Sequence, residues 1–114
     1  MSVSEGYRTY VLDQLSRVGP VTARNMFGGV GLYSRGLFFA LMDDDVTYFK
    51  VDDQTRGRFE AAGAGPFRPF PGQPEYVMQY YELPGDALED AEVLCAWVRD
   101  ALDVATRSRR KKRR

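Results

Sequence analysis

Three short apolar segments, Val30 to Tyr33, Leu37 to Met42 and Val46 to Val51, lie close together in the chain, separated by Ser34-Arg-Gly36 and Asp43-Asp-Asp45. The separators are made of residues that favour tight turns. Connections this short cannot carry a crossover, so the three segments read as antiparallel neighbours joined by hairpin turns. Before them, Tyr7, Val11, Leu12, Leu15 and Val18 recur at helical spacing, and Gly19-Pro20 stops that helix.

Asp52 or Asp53 can cap a second helix, with Phe59, Ala61 and Ala62 available for burial and Gly63 placed to end it. Gly57 weakens that helix by about 1 kcal/mol relative to alanine, so tertiary packing must hold it. From Gly63 to Pro74 the chain reads as an irregular crossing with a short strand around Phe67 to Phe70, followed by a clearer strand over Glu75 to Glu82. Leu83-Pro-Gly85 breaks the chain, and Asp86 or Asp90 can cap a final helix. Its stripe of Leu94, Trp97, Val98, Ala101, Leu102 and Ala105 faces the core. The order is α-β-β-β-α-β-β-α, an α+β domain with a mainly antiparallel sheet covered by helices. At 114 residues and 44% apolar content, the chain can supply one core.

The net charge of zero conceals a segregation. All 16 acidic residues precede position 104, whereas seven of the 16 basic residues lie in 107–114, so residues 1–106 carry −7. Arg107, Arg109, Arg110, Lys111, Lys112, Arg113 and Arg114 repel one another, which predicts a disordered basic tail over 107–114 beside a folded domain over 1–106. Such a run either contacts phosphates without sequence preference or serves as a solubilising terminus. The acidic body argues against a broad nucleic-acid face on the domain itself.

Cys95 is alone, so neither an intramolecular disulfide nor a cysteine-rich zinc site can form, and there is no histidine. Serine-histidine and cysteine-histidine catalysis within one chain are thereby excluded. No apolar run spans a bilayer and the N-terminus lacks the order of a secretory signal, so no membrane association and a cytoplasmic location are expected. Asp43, Asp44 and Asp45 lack the spacing of a calcium loop. Lys50 reads as a snorkelling or edge charge rather than a nucleophile, and Cys95 as a packing residue. The aromatic set Phe67, Phe70, Tyr76, Tyr80 and Tyr81 has only Arg68 among it, which favours core or dimer packing over nucleobase stacking. No cofactor and no catalytic or metal-binding residue is expected.

The run Arg24-Asn-Met-Phe-Gly-Gly-Val-Gly-Leu-Tyr33 passes from a polar approach through glycines into an apolar strand. Gly28 and Gly29 permit a sharp turn or a close backbone approach. A phosphate loop would instead follow a strand and open a helix. Met26 and Phe27 offer either an anchor for a partner or a cap on the core, and burial statistics favour the cap. Arg24, Met26, Phe27, Gly28 and Gly29 together form a candidate partner-binding or structural loop.

With Tyr48-Phe-Lys-Val-Asp52, Arg58-Phe-Glu-Ala-Ala-Gly63 and Tyr80-Tyr-Glu-Leu-Pro84, that run resembles the N-terminal domain of the TfoX/Sxy family of competence regulators, over residues 5 to 104. The resemblance implies a fold similar to secretion chaperones, which commonly pair, and hence a homodimer. It also implies a non-enzymatic regulatory or protein-interaction module with a protein partner yet to be identified, linked to transcription or competence. Competence regulators of the family carry a C-terminal helical domain after this one, where this sequence has its basic run. The alternative is a nucleic-acid-associated accessory protein that binds phosphates non-specifically through the tail. A small histidine-free enzyme ranks last.

Overall fold

Ser4 starts the first helix, α1 (Glu5–Ser16), by accepting a hydrogen bond from the Tyr7 amide on its hydroxyl. Its buried positions Val11 and Leu15 lie one turn apart on the inner side. Five strands follow: β1 (Thr22–Met26), β2 (Gly29–Ser34), β3 (Leu37–Asp43), β4 (Val46–Lys50) and, after the short helix α2 (Arg56–Ala61), β5 (Tyr80–Glu82). A 3-10 turn (Ala87–Glu89) leads into the long helix α3 (Ala91–Lys112). The structure, a computed structural model, describes residues 2–26 and 28–112, the last two by their backbone alone.

The sheet is an antiparallel meander in the order β1-β2-β3-β4-β5. Both expected hairpin turns are present. Ser34 pairs with Leu37 across Arg35 and Gly36, and Asp43 with Val46 across Asp44 and Asp45. All four turn residues have positive φ, the mirror-image turn whose twist matches the strands. In the second turn the Asp45 carboxylate also accepts from the Ser4 amide and hydroxyl at 2.8 and 2.9 Å, so it ties the turn to the start of α1.

One face of the sheet, built from Ala23, Val30, Leu32, Ala40, Met42, Phe49 and Tyr81, joins Val11 and Leu15 of α1 and Leu94, Val98, Ala101 and Ala105 of α3 in a single core. A register shift between Leu32 and Tyr33 forms a bulge opposite β3. It lets the consecutive residues Phe39 and Ala40 both be fully buried. Phe39 meets Phe49 edge to face at 5.7 Å.

The elements differ from the sequence expectation in four places. A strand forms over Thr22–Met26 in what reads as a polar approach, because β1 is a mostly exposed edge with no apolar alternation to betray it. No strand forms around Phe67 to Phe70, where Pro66, Pro69 and Pro71 lack amide donors. Gly65 and Phe67 instead bond individually to Glu82 and Tyr80, and the strand expected from Glu75 shortens to Tyr80–Glu82. In α2, Phe59 is buried while Ala61 and Ala62 are exposed.

The disordered tail expected from Arg107 is corrected more substantially: α3 continues as helix to Lys112. Val104 and Ala105 are buried, and Arg107 places Nε and Nη2 at 2.9 and 2.8 Å from Asp52 Oδ2. That contact pins the last turns to the loop after β4. Beyond it, arginine and lysine are good helix formers, and their charge complements the negative end of the helix dipole. At the other end the Asp90 carboxylate caps α3 by accepting from the amides of Glu92 and Val93.

Candidate interaction face

Side chains alternate along the strands, so the face opposite the core carries Arg24, Met26, Gly31, Tyr33, Phe38, Leu41, Tyr48, Lys50, Tyr80 and Glu82. None of these belongs to the core cluster that the helices cover. They bury one another instead. Tyr33 stacks on its cross-strand partner Phe38 at 5.0 Å, and Phe38 leans on Tyr80 at 5.6 Å. The Arg24 guanidinium sits 5.5 Å over the Tyr33 ring, while the Lys50 ammonium lies 5.4 and 6.0 Å over Tyr80 and Phe38. Phe67, from the segment beside β5, packs on Tyr48 at 4.7 Å.

The glycines of the N-terminal run act on this geometry in different ways. Gly28 has φ +84°, a conformation that side chains disfavour. A Cβ on Gly29 would lie 2.6 Å from the Met42 carbonyl oxygen, so this residue permits a close approach to β3. A Cβ on Gly31 would strike the Met26 Cε at 2.6 Å, and its absence lets Met26 lie across the face. Phe27 lies outside the described residues.

The electrostatics of the face are polarised along the strands. Arg35 and Lys50 stand at the end where β2 turns into β3, and Asp43 and Asp44 at the end where β3 turns into β4, while Arg24 and Glu82 flank the row between them at the two edges of the sheet. Tyr48, near the acidic end, has its hydroxyl pKa raised by burial and then by Glu82 and the two aspartates. Tyr80, at the basic end, is pushed up to about 12 by burial, with a smaller contribution from Tyr33.

The model of the TfoX N-terminal domain matches residues 13–105. The chain belongs to the TfoX N-terminal domain family. No curated protein matches it. The match to the TfoX N-terminal domain opens within α1 and closes two residues before Arg107, so it encloses the whole uncovered face.

Outside the face, this TfoX N-terminal domain has a cleft of about 540 Å³ where the ends of β4 and α3 meet α2. Lys50, Arg56 and Arg107 line it together with Asp52 and Asp53. Both acids are engaged, Asp52 with Arg107 and Asp53 with Arg56. The Arg107 hydrogen bond, more than any other contact, holds the Asp52 carboxyl below its ordinary value. Arg107 Nη2 is sealed from solvent with no hydrogen bond aligned to it, so Asp52 serves it as a charge partner only.

Arg109 and Arg110 are exposed on α3, while Arg113, Arg114 and the side chains of Lys111 and Lys112 lie outside the described residues. Cys95 is half-buried, 3.7 Å from Arg99. Among the described residues no three acidic, cysteine or histidine groups gather as a metal site, and no helix is long and apolar enough to cross a membrane.

Of the sequence-derived loop candidates, Arg24 and Met26 reach the uncovered face. Gly28 and Gly29 shape the turn beside it. Tyr33, Phe38 and Leu41 were not singled out by sequence reasoning. The signal that could have found them is the pairing across the Ser34-Arg-Gly36 turn, which sets Tyr33 opposite Phe38 once the bulge is known.

Proposed function

We propose that this protein is a non-enzymatic regulatory module that binds another protein through the uncovered face of its sheet. A single observation carries the reading: a contiguous set of aromatic and aliphatic side chains bracketed by cations and carboxylates, with no helix over it, on a domain whose opposite face already supplies the core. Aromatic, methionine and arginine side chains at the centre of a patch are the composition of a protein interface. Beside β5 the segment ending at Gln79 adds Phe70, Tyr76, Val77 and Met78, each exposed. The test is affinity capture from the native host with wild type and Tyr33→Glu. Loss of a specific protein from the variant, with its circular dichroism unchanged, supports the module; identical captures from both refute it.

The helical continuation of α3 favours one second reading, contact with nucleic-acid phosphates. Arg109 and Arg110 are exposed on a helix pinned to the domain at Arg107, so the cations project from a fixed base. If about five phosphates are neutralised, duplex affinity falls with salt at a log–log slope near about −4.5 and without sequence preference. Duplex anisotropy that stays flat at low salt removes this reading.

A further inference from the structure

We infer that the uncovered face is self-complementary and pairs with the same face of a second copy of this chain. The two sheets would be related by a twofold axis that lies in the interface and runs across the strands. This rests on the reading of the face as an interaction surface and adds its occupant.

The argument begins with where the charges stand. Ser34 pairs with Leu37 at one end of the β2–β3 hairpin, so Arg35 marks that end. Lys50, opposite Tyr80, stands at the same end. Asp43 pairs with Val46 at the other end, where Asp44 follows in the turn, and Glu82 lies two residues along β5 from Tyr80 in that direction. Between the two ends lie Tyr33, Phe38, Leu41 and Tyr48, an apolar centre with charge at its rim.

A twofold contact presents the same patch from both sides, so whatever this face offers it must also accept. An axis along the strands would bring Arg24 to Glu82 in the central row but set basic end on basic end and acidic on acidic. Turned across the strands, each copy lays Arg35 and Lys50 over Asp43 and Asp44 of the other, and attraction acts in both halves at once. Other occupants fit worse. A polyanion lying along the face must cross the acidic end, and a polycation the basic end. A second copy meets opposite charge at both ends and buries the aromatic centre. A specific pair would cover about 1,200 to 2,000 Å² in total.

Sedimentation of the full chain over low to high micromolar concentration tests this. The expected result is a dimer that weakens as salt screens the rim. Arg35→Glu and Asp44→Lys change exposed turn positions, and each is expected to weaken association about tenfold. The double variant R35E/D44K exchanges the charges of two positions that face each other across the axis and is expected to regain dimerisation, with circular dichroism confirming that all the proteins fold. A wild type that stays at 12.9 kDa, single variants that dimerise like wild type, or a double variant that fails to recover overturns the proposal. The interaction reading has its own readout: a monomer whose Tyr33→Glu variant still loses the host protein keeps that reading and discards self-pairing.

Discussion

The two faces of this sheet are made by the same strands and differ in how they reach burial. On the covered face, Val30, Leu32, Met42 and Phe49 are hidden by helices, and the buried hydroxyl of Thr47 meets the Tyr7 hydroxyl at 2.7 Å. On the uncovered face, Leu41 and Tyr80 reach 8% and 5% exposure without any helix above them. They do so through tyrosine, phenylalanine and the stems of Arg24 and Lys50, side chains that combine apolar area with a polar tip. The lesson is that one face is committed to folding while the other stays compatible with water and with a partner.

That contrast can be broken experimentally. Phe49→Ala on the covered face is expected to cost about 3 to 5 kcal/mol in urea unfolding, against about 1 kcal/mol for Tyr33→Ala on the other. Equal costs would mean that both faces serve as core.

Next in size is an alkaline effect. With Tyr80 raised to about 12 from 10.0, the unfolded chain loses this proton above pH 10 while the folded chain keeps it. Stability should therefore fall between those values, by up to about 2 to 3 kcal/mol. Tyr80→Phe should flatten this decline, leaving the smaller contributions of Tyr7, Tyr48 and Tyr81, whose hydroxyls burial also raises. An unchanged alkaline limb would show Tyr80 to be wetter than its packing indicates.

Gly29→Val forces a side chain against the Met42 carbonyl and should destabilise the fold by about 1 to 3 kcal/mol, read as a shifted thermal midpoint. The smallest effect concerns the pin on α3. Asp52 titrates below 3.8 because Arg107 bonds its charged form, so the pair stabilises above that pH and is lost as pH falls through the folded value. Both side chains are about a third exposed, 32% and 33%, which limits the contribution to about 1 kcal/mol or less. Asp52→Asn should remove this part of the acid limb and speed amide exchange in the last turns of α3.

The sequence made the hairpins legible because turn residues declare themselves locally, and the helical stripes because burial is periodic. It left β1 obscure, since an edge strand needs no apolar alternation and Thr22-Ala-Arg-Asn-Met26 has none. The bulge was invisible because it depends on a register between strands. The end of α3 was misread for a related reason: charge repulsion within 107–114 is local, whereas the partner that pins Arg107 is Asp52, 55 residues away. For the candidate face, Lys50 was legible as a snorkelling or edge charge. The approach of Arg24 to Tyr33 required the meander itself.

The strand order has a consequence for how the chain assembles. Because β1 to β4 are joined in sequence by tight connections, the larger part of the sheet can form once residue 50 has left the ribosome. The helix that covers most of the core face begins only at Ala91. For roughly a third of synthesis the nascent sheet therefore holds Leu32, Ala40, Met42 and Phe49 open on that side. The interval during which a chaperone could recognise this protein is set by the distance in the chain between β4 and α3.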